Sequence, residues 1–451
     1  MGRCIPVMFG LVAWLVGLLV AAPAGPDPSI LRHSRYTLKN GLTVILHPVR
    51  TVPLVRVHLR VHVGGADEPS DRRGLAHIVE HLTFEGTEHI DAGARARALY
   101  FSGAIEVNGS TTLTSTDYHV TVPADYTEMM LWLESDRLGF SAAAVTAANL
   151  RAVRGVVANE RRERIDTEPY AGLRIALAEA LYPPRHGYRG DHIGSLFEIA
   201  SATPPEALAF LRQWYVPANA TLVLAGDLPA RTSEWIDKHF GSLPRVEPAP
   251  RRAVAPHEPS QEVVLRADEP LGRSVAVLAA WPTPALYTAE DAVADVLAEA
   301  LLAGGLERLA GASALAPTAA FRQSSLPAQS RFFAQLSAGA DADVDALVSV
   351  LDDVLGRVRA GALTEAEVRR ARERVVARNL AELQTLAGRT QRLHDYAEHR
   401  GDPDWLAEDL RRYREVTPEA VASFAATFLR RERRVLLLAR PSASVPQGVR
   451  P

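Results

Sequence analysis

The sequence predicts an α+β protein built of two like halves, each a sheet with helices packed on one face. Two observations carry this. The first is an internal repeat. Thr203-Pro204, Phe210 and the apolar run 222–225 recur as Thr417-Pro418, Phe424 and 436–439, each pair 214 residues apart. A helix cap, an aromatic and a strand that all fall at one offset mark a duplication. The second is the alternation, in both halves, of β-like segments with long Ala- and Arg-rich helical ones. That alternation is the pattern of sheets covered by helices. Pro244, Pro248, Pro250, Pro256 and Pro259 lie between the halves and give an extended, partly stiff linker. The expected division is 30–245 and 263–441, with a linker at 246–262 and a flexible tail at 442–451.

The elements follow in order. Residues 1–24 read as an export signal: Arg3, an apolar run over 5–22, then the small-residue site Ala22-Pro23-Ala24. The alternative is an uncleaved membrane anchor, since the run is near the lower limit of about 17–25 residues for a span. Asn40-Gly41 is a turn signal before a strand at 43–46. Residues 55–63 alternate strictly, which predicts a half-buried strand with Val55, Val57, Leu59, Val61 and Val63 inward. Helices are expected at 72–85, 93–102, 124–138 and 146–181, then at 288–303, 341–360, 364–388 and 402–413. In each copy of the repeat Thr is the N-cap, Pro is the first helical residue, and the helix leads to a short buried strand.

Composition narrows the chemistry. The 451 residues are 47% hydrophobic and 23% charged, which excludes collagen-like, coiled-coil and wholly disordered chains. A net charge of -3 gives no sign of a nucleic-acid or anionic-membrane partner. Lys39 and Lys238 are the only lysines, and the many arginines are interspersed with acids as a solvated surface. The single cysteine, Cys4, falls in the expected leader. The mature chain therefore has neither a disulfide nor a thiolate metal or nucleophile site.

The strongest local signal is the run of residues 74–82, Gly-Leu-Ala-His-Ile-Val-Glu-His-Leu. On a helix His77 and His81 project from one face, one turn apart, and can share a metal ion. Glu80 lies on the same face, within reach of a water on that metal. His-x-x-Glu-His is the inverted zinc-protease motif. Neutral imidazoles, no thiolates and an open fourth position suit zinc.

The surroundings of this motif resemble the pitrilysin/insulinase-like metallopeptidases, which include the mitochondrial processing peptidase subunits. The resemblance rests on the run Tyr36-Thr37-Leu38-Lys39-Asn40-Gly41-Leu42, on Gly64-Gly65-Ala66-Asp67-Glu68-Pro69, and on Leu82-Thr83-Phe84-Glu85-Gly86-Thr87 after the motif. It implies two duplicated α/β-roll domains, one Zn²⁺ per chain and hydrolysis of peptide bonds. It makes Glu160, in Val156-Val157-Ala158-Asn159-Glu160-Arg161, the third zinc ligand, with Glu163 one turn on as the competitor. Zinc held by His77, His81 and Glu160 would acidify a water, and Glu80 would be the general base. Relatives carry a further Glu seven residues before this ligand; Val153 stands there instead, a departure that bears on metal affinity. They also read Asn-Ala-x-Thr on an edge strand that takes the peptide as an added strand. Asn108 and Thr111 match, and so are expected to bind substrate.

Peptide-cutting relatives also use an Arg and a Tyr, about seven apart, from a second-half domain. Arg308 is followed seven residues on by Leu315, and Tyr287, Tyr396 and Tyr413 lie elsewhere. The resemblance thus implies a zinc-bearing subunit whose homologous partner carries the Arg/Tyr pair, or else a homodimer. The expectation is an exported endopeptidase, periplasmic or extracellular. The alternative is a non-catalytic assembly or structural subunit that keeps a metal site.

Overall fold

In the computed structural model residues 28–311 and 318–442 are described. The expected leader at 1–24, nearly all of the expected tail and Leu315 lie outside them. The first sheet holds β1 (Ser34–Thr37), β2 (Thr43–Pro48), β3 (Leu54–Val61), β4 (Ile105–Thr111), β5 (Thr116–Pro123) and β6 (Ala220–Gly226). The second holds β7 (Val263–Glu269), β8 (Val275–Thr283), β9 (Thr318–Ser324), β10 (Ser330–Ala338) and β11 (Val435–Pro441). Their orders are β1-β2-β6-β3-β5-β4 and β7-β11-β8-β10-β9. Without β1 the two orders are the same. Each sheet has one parallel pair, β2 with β6 and β7 with β11, and its other neighbours are antiparallel. The duplication read from a helix and a strand therefore extends over whole sheets. Its caps form as the sequence predicts. Thr203 and Glu206 close a capping box, Thr417 accepts from the Ala420 amide, and a proline opens each helix.

Each sheet packs one face on helices of its own half. Val55, Val57, Leu59 and Val61 of β3 join Ile78, Leu131, Val157 and Phe210 in one core. Val275, Val277 and Phe332 join Leu297, Leu351 and Phe424 in another. The opposite faces are covered reciprocally. Leu177 and Leu181, on the first-half helix Ala171–Leu181, pack on Leu278 and Leu437 of the second sheet. Leu393 and Tyr396, on the second-half helix Leu386–His399, pack with Ile45 and Val223 of the first.

This exchange alters one expectation. The polar side of β3 is not solvated: Arg56, His58 and Arg60 are all buried. Asp117, directly across from Arg60 on β5, lies 2.7 Å from Arg60 Nε and 2.8 Å from His58 Nε2. Arg60 Nη1 reaches Asp395 (2.8 Å) and Glu398 (3.3 Å) on the second-half helix, and Thr390 Oγ1 meets His58 Nδ1 at 3.2 Å. A strict apolar–polar alternation reports two different faces, and here both are interior.

Most helices form where expected: Ala92–Phe101, Thr127–Phe140, Ala289–Ala300, Val344–Arg359 and Leu406–Arg414. The helix expected over 72–85 is shorter, Leu75–Leu82, because Gly74 has φ 88° and cannot continue it backward. Two others are split. The 146–181 segment forms Ala147–Arg161, a wide turn at Arg162–Asp166, then Ala171–Leu181. Pro169 cannot donate within a helix, and Tyr170 is left-handed (φ 62°). The 364–388 segment ends as Glu365–Glu382, and Thr385 caps the new helix Leu386–His399. Gly388 presses on the preceding helix there, where a Cβ would fall 2.0 Å from the Glu382 carbonyl oxygen.

The 214-residue offset carries one step further. It sets Asp291 and Asp295, on Ala289–Ala300, at the places of His77 and His81. Ser325 Oγ donates to Asp291, and the Tyr413 hydroxyl donates to Asp295. Burial and the neighbouring Asp291 push Asp295 up to about 7. A carboxyl raised in the folded state costs stability as pH rises from its unfolded value near 4 through about 7. Asp295→Asn is expected to raise the melting temperature at pH 8 and to leave it nearly unchanged at pH 4. Thermal unfolding at the two pH values checks this.

Candidate metal centre

The helix that carries the motif is fixed at its start. A Cβ on Gly74 would come 2.5 Å from the Ile193 carbonyl oxygen, so loop and helix touch there. The Glu68 carboxylate accepts from the amides of Gly74 (3.2 Å) and Ala76 (2.7 Å), which satisfies two of the helix's free N–H groups. Glu68 is buried, and burial pushes it up to about 8. Sequence reasoning did not give Glu68 this role. An acid in the turn just ahead of the Gly-Leu-Ala-His start was the available signal.

From this helix His77 and His81 present Nε2 atoms 3.2 Å apart. Glu160 comes from the last turn of Ala147–Arg161, packed alongside. Its Oε2 lies 3.5 Å from His77 Nε2 and 3.3 Å from His81 Nε2. Ligand atoms of the three residues all lie within 4.8 Å of one another. Glu163 is exposed in the turn beyond and does not join them. Burial, then the neighbouring His81, push His77 down to about 4, so it is a neutral imidazole at neutral pH. The hydrogen bond with His81, followed by the neighbouring His77 and the Arg164 guanidinium, holds Glu160 down to about 2. Two imidazoles and an ionised carboxylate converging in this way fit zinc with one position left for water or substrate. Val153 is buried in the apolar core, and His77 Nδ1 is buried with no hydrogen-bond partner among the described residues.

Glu80 is buried beside this set. It accepts from Thr111 Oγ1 at 2.6 Å, which joins the motif helix to the end of β4. Gly109 allows that approach, because a Cβ there would lie 2.7 Å from Glu80 Oε1. Burial raises the Glu80 pKa and the Thr111 hydrogen bond lowers it. Thr111→Val removes the lowering contact. The acidic limb of the pH–rate profile is then expected to move to higher pH, which a kcat/KM profile checks. Asn108 is placed differently. It pairs with His119 on β5, while Gly109 pairs with Tyr118, whose ring faces the motif side near Phe84. Its side chain is exposed, on the other face of β4 from Glu80. β4 is the edge of the sheet, so one side of its backbone is open.

The candidate clamp residues are engaged elsewhere. Arg308 is paired with Glu367, at 2.5 and 2.8 Å. Tyr287, Tyr396 and Tyr413 are buried in the second half.

Comparison with known proteins agrees with the fold. The family model described as "Insulinase (Peptidase family M16)" matches residues 43–186, and that described as "Peptidase M16 inactive domain" matches 201–375. The chain is 26% identical to the zinc protease PqqE of Helicobacter pylori over 347 residues, 75% of this chain and 77% of that protein. It is 27% identical to the probable zinc protease PqqL of Escherichia coli over 252 residues, 54% of this chain but 26% of the relative. Among solved structures, a protease from Helicobacter pylori superposes with TM-score 0.82 at 22% identity, covering 91% of this chain and all of that one. A peptidase M16 inactive domain from Pseudomonas fluorescens superposes with TM-score 0.79 at 19% identity, over 92% of this chain and 98% of that one. Paired α/β rolls with an inverted zinc motif define a class of peptidase. The chain belongs to its insulinase family, peptidase family M16.

Proposed function

We propose that this chain is a zinc-dependent endopeptidase acting on peptides or unstructured protein segments. The observation that carries the proposal is the convergence of His77, His81 and Glu160, with Glu80 held beside them by Thr111. Bound zinc would supply a Lewis acid and an acidified water. The chain's own groups supply the rest. The open edge of β4 can pair with an extended peptide backbone. Glu80, desolvated and held by one hydroxyl, is suited to accept a proton from water and pass it to the leaving amine.

We further propose that the chain works with a homologous partner that contributes an Arg/Tyr pair. Arg308 is exposed but paired with Glu367, and the second-half tyrosines are buried, which leaves no clamp within the described residues. Export is proposed from the leader at 1–24. It is consistent with the Escherichia coli relative, whose solved structure is described as a periplasmic protease. Among the described residues no helix is long and apolar enough to cross a membrane.

Elemental analysis is expected to find one zinc per chain. A chelator should stop cleavage of an unstructured peptide, and added zinc should restore it. Absence of zinc, or cleavage indifferent to chelation, overturns the peptidase proposal. Full specific activity of the purified chain alone overturns the partner.

A further inference from the structure

A second histidine pair lies beside the metal centre. The ring of His192 is 6.0 Å from that of His77, centroid to centroid, at 70°. It sits on a loop pinned at several points. Asp191 Oδ1 accepts from the Ile193 amide at 2.9 Å and lies 3.1 Å from His192 Nδ1. Arg161, next to the ligand Glu160, donates to the Gly194 carbonyl at 2.7 Å. Gly65 packs so closely that a Cβ on it would fall 3.2 Å from His192 Cα. The imidazole is about one-third exposed, at 34% of its side chain. Nδ1 is thus held beside the Asp191 carboxylate, and the ring stays partly exposed.

We propose that His192 is a substrate-binding residue that hydrogen-bonds the peptide beside the scissile carbonyl, with Asp191 as its positioning residue. This gives the chain one polar contact of its own where Arg308 and the second-half tyrosines supply none. The inference rests on the endopeptidase proposal above.

The test uses the zinc-loaded full chain and a phosphinic peptide, in which a phosphinate replaces the scissile amide. His192→Ala is expected to weaken its binding about tenfold, the usual net worth of one hydrogen bond. His192→Gln, which keeps a donor N–H, should recover most of that loss. Asp191→Asn should fall between them. Zinc stoichiometry and circular dichroism should be the same in all four proteins. Equal phosphinate affinity in wild type and His192→Ala overturns the inference and leaves the endopeptidase proposal standing. So does loss of zinc from His192→Ala, since the residue would then act on the metal. No phosphinate binding to zinc-loaded wild type overturns both.

Discussion

Replacing Glu80 by Gln is expected to lower peptide hydrolysis by about 10²–10⁴-fold, the range for loss of a general base, with zinc content unchanged. The substitution keeps size and shape. The Gln carbonyl oxygen can still accept from Thr111, which donates to Glu80 at 2.6 Å. The three converging ligand residues, His77, His81 and Glu160, are untouched. What is lost is a carboxylate able to hold a proton, in a place where burial already raises its affinity for one. Initial rates on an unstructured peptide, with zinc measured on the same sample, decide the matter. Undiminished hydrolysis by Glu80→Gln would remove Glu80 from the reaction. Loss of zinc would show that it holds the metal instead.

The largest stability effect is expected at Asp117. Burial works against its charge, but Arg60 and His58 hold its carboxyl well below the usual range. Asp117→Ala leaves the buried Arg60 with only Asp395 and Glu398, and takes from His58 its partner at Nε2. Breaking one side of a buried ionic network costs about 3–5 kcal/mol. A fall of that size in the free energy of unfolding, read from denaturant titration, is the expected outcome. The pair Arg60→Met with Asp117→Leu should recover part of it, because neither member of the closest pair is left alone, Glu398 keeps His62 and Arg251, and Asp395 is partly exposed. A cost below about 1 kcal/mol would place the network among solvent-screened surface pairs.

The legible parts of the molecule are those set by local signals. Thr203-Pro204 and Thr417-Pro418 mark helix starts by capping chemistry alone, so the duplication could be read at one offset. His77, Glu80 and His81 lie within five residues on one helix, and their geometry follows from its pitch. Glu160 required a resemblance, since no local rule brings one Glu rather than Glu163 across to a helix far away in sequence. A half-buried strand puts Arg56, His58 and Arg60 on its second face, and nothing near them in sequence names the helix Leu386–His399 that covers it. Pro169 carries a local signal for the break in the helix expected over 146–181, since a proline cannot donate within a helix. Asn108 was placed by motif match, whereas strand register decides which way a side chain turns.

The reciprocal covering of the two sheets also sets an order of events during synthesis. Ile45 and Val223 are complete in the chain long before Leu393 and Tyr396 leave the ribosome. At about 5–20 residues per second that interval is on the order of ten seconds or more. Throughout it the back of the first sheet, with Arg56, His58 and Arg60, has no cover. A nascent first half must wait, held open or held by a chaperone, until the second half arrives. Expressed without residues 386–399, it would present that bare face to every other copy of itself, and aggregation is the expected fate.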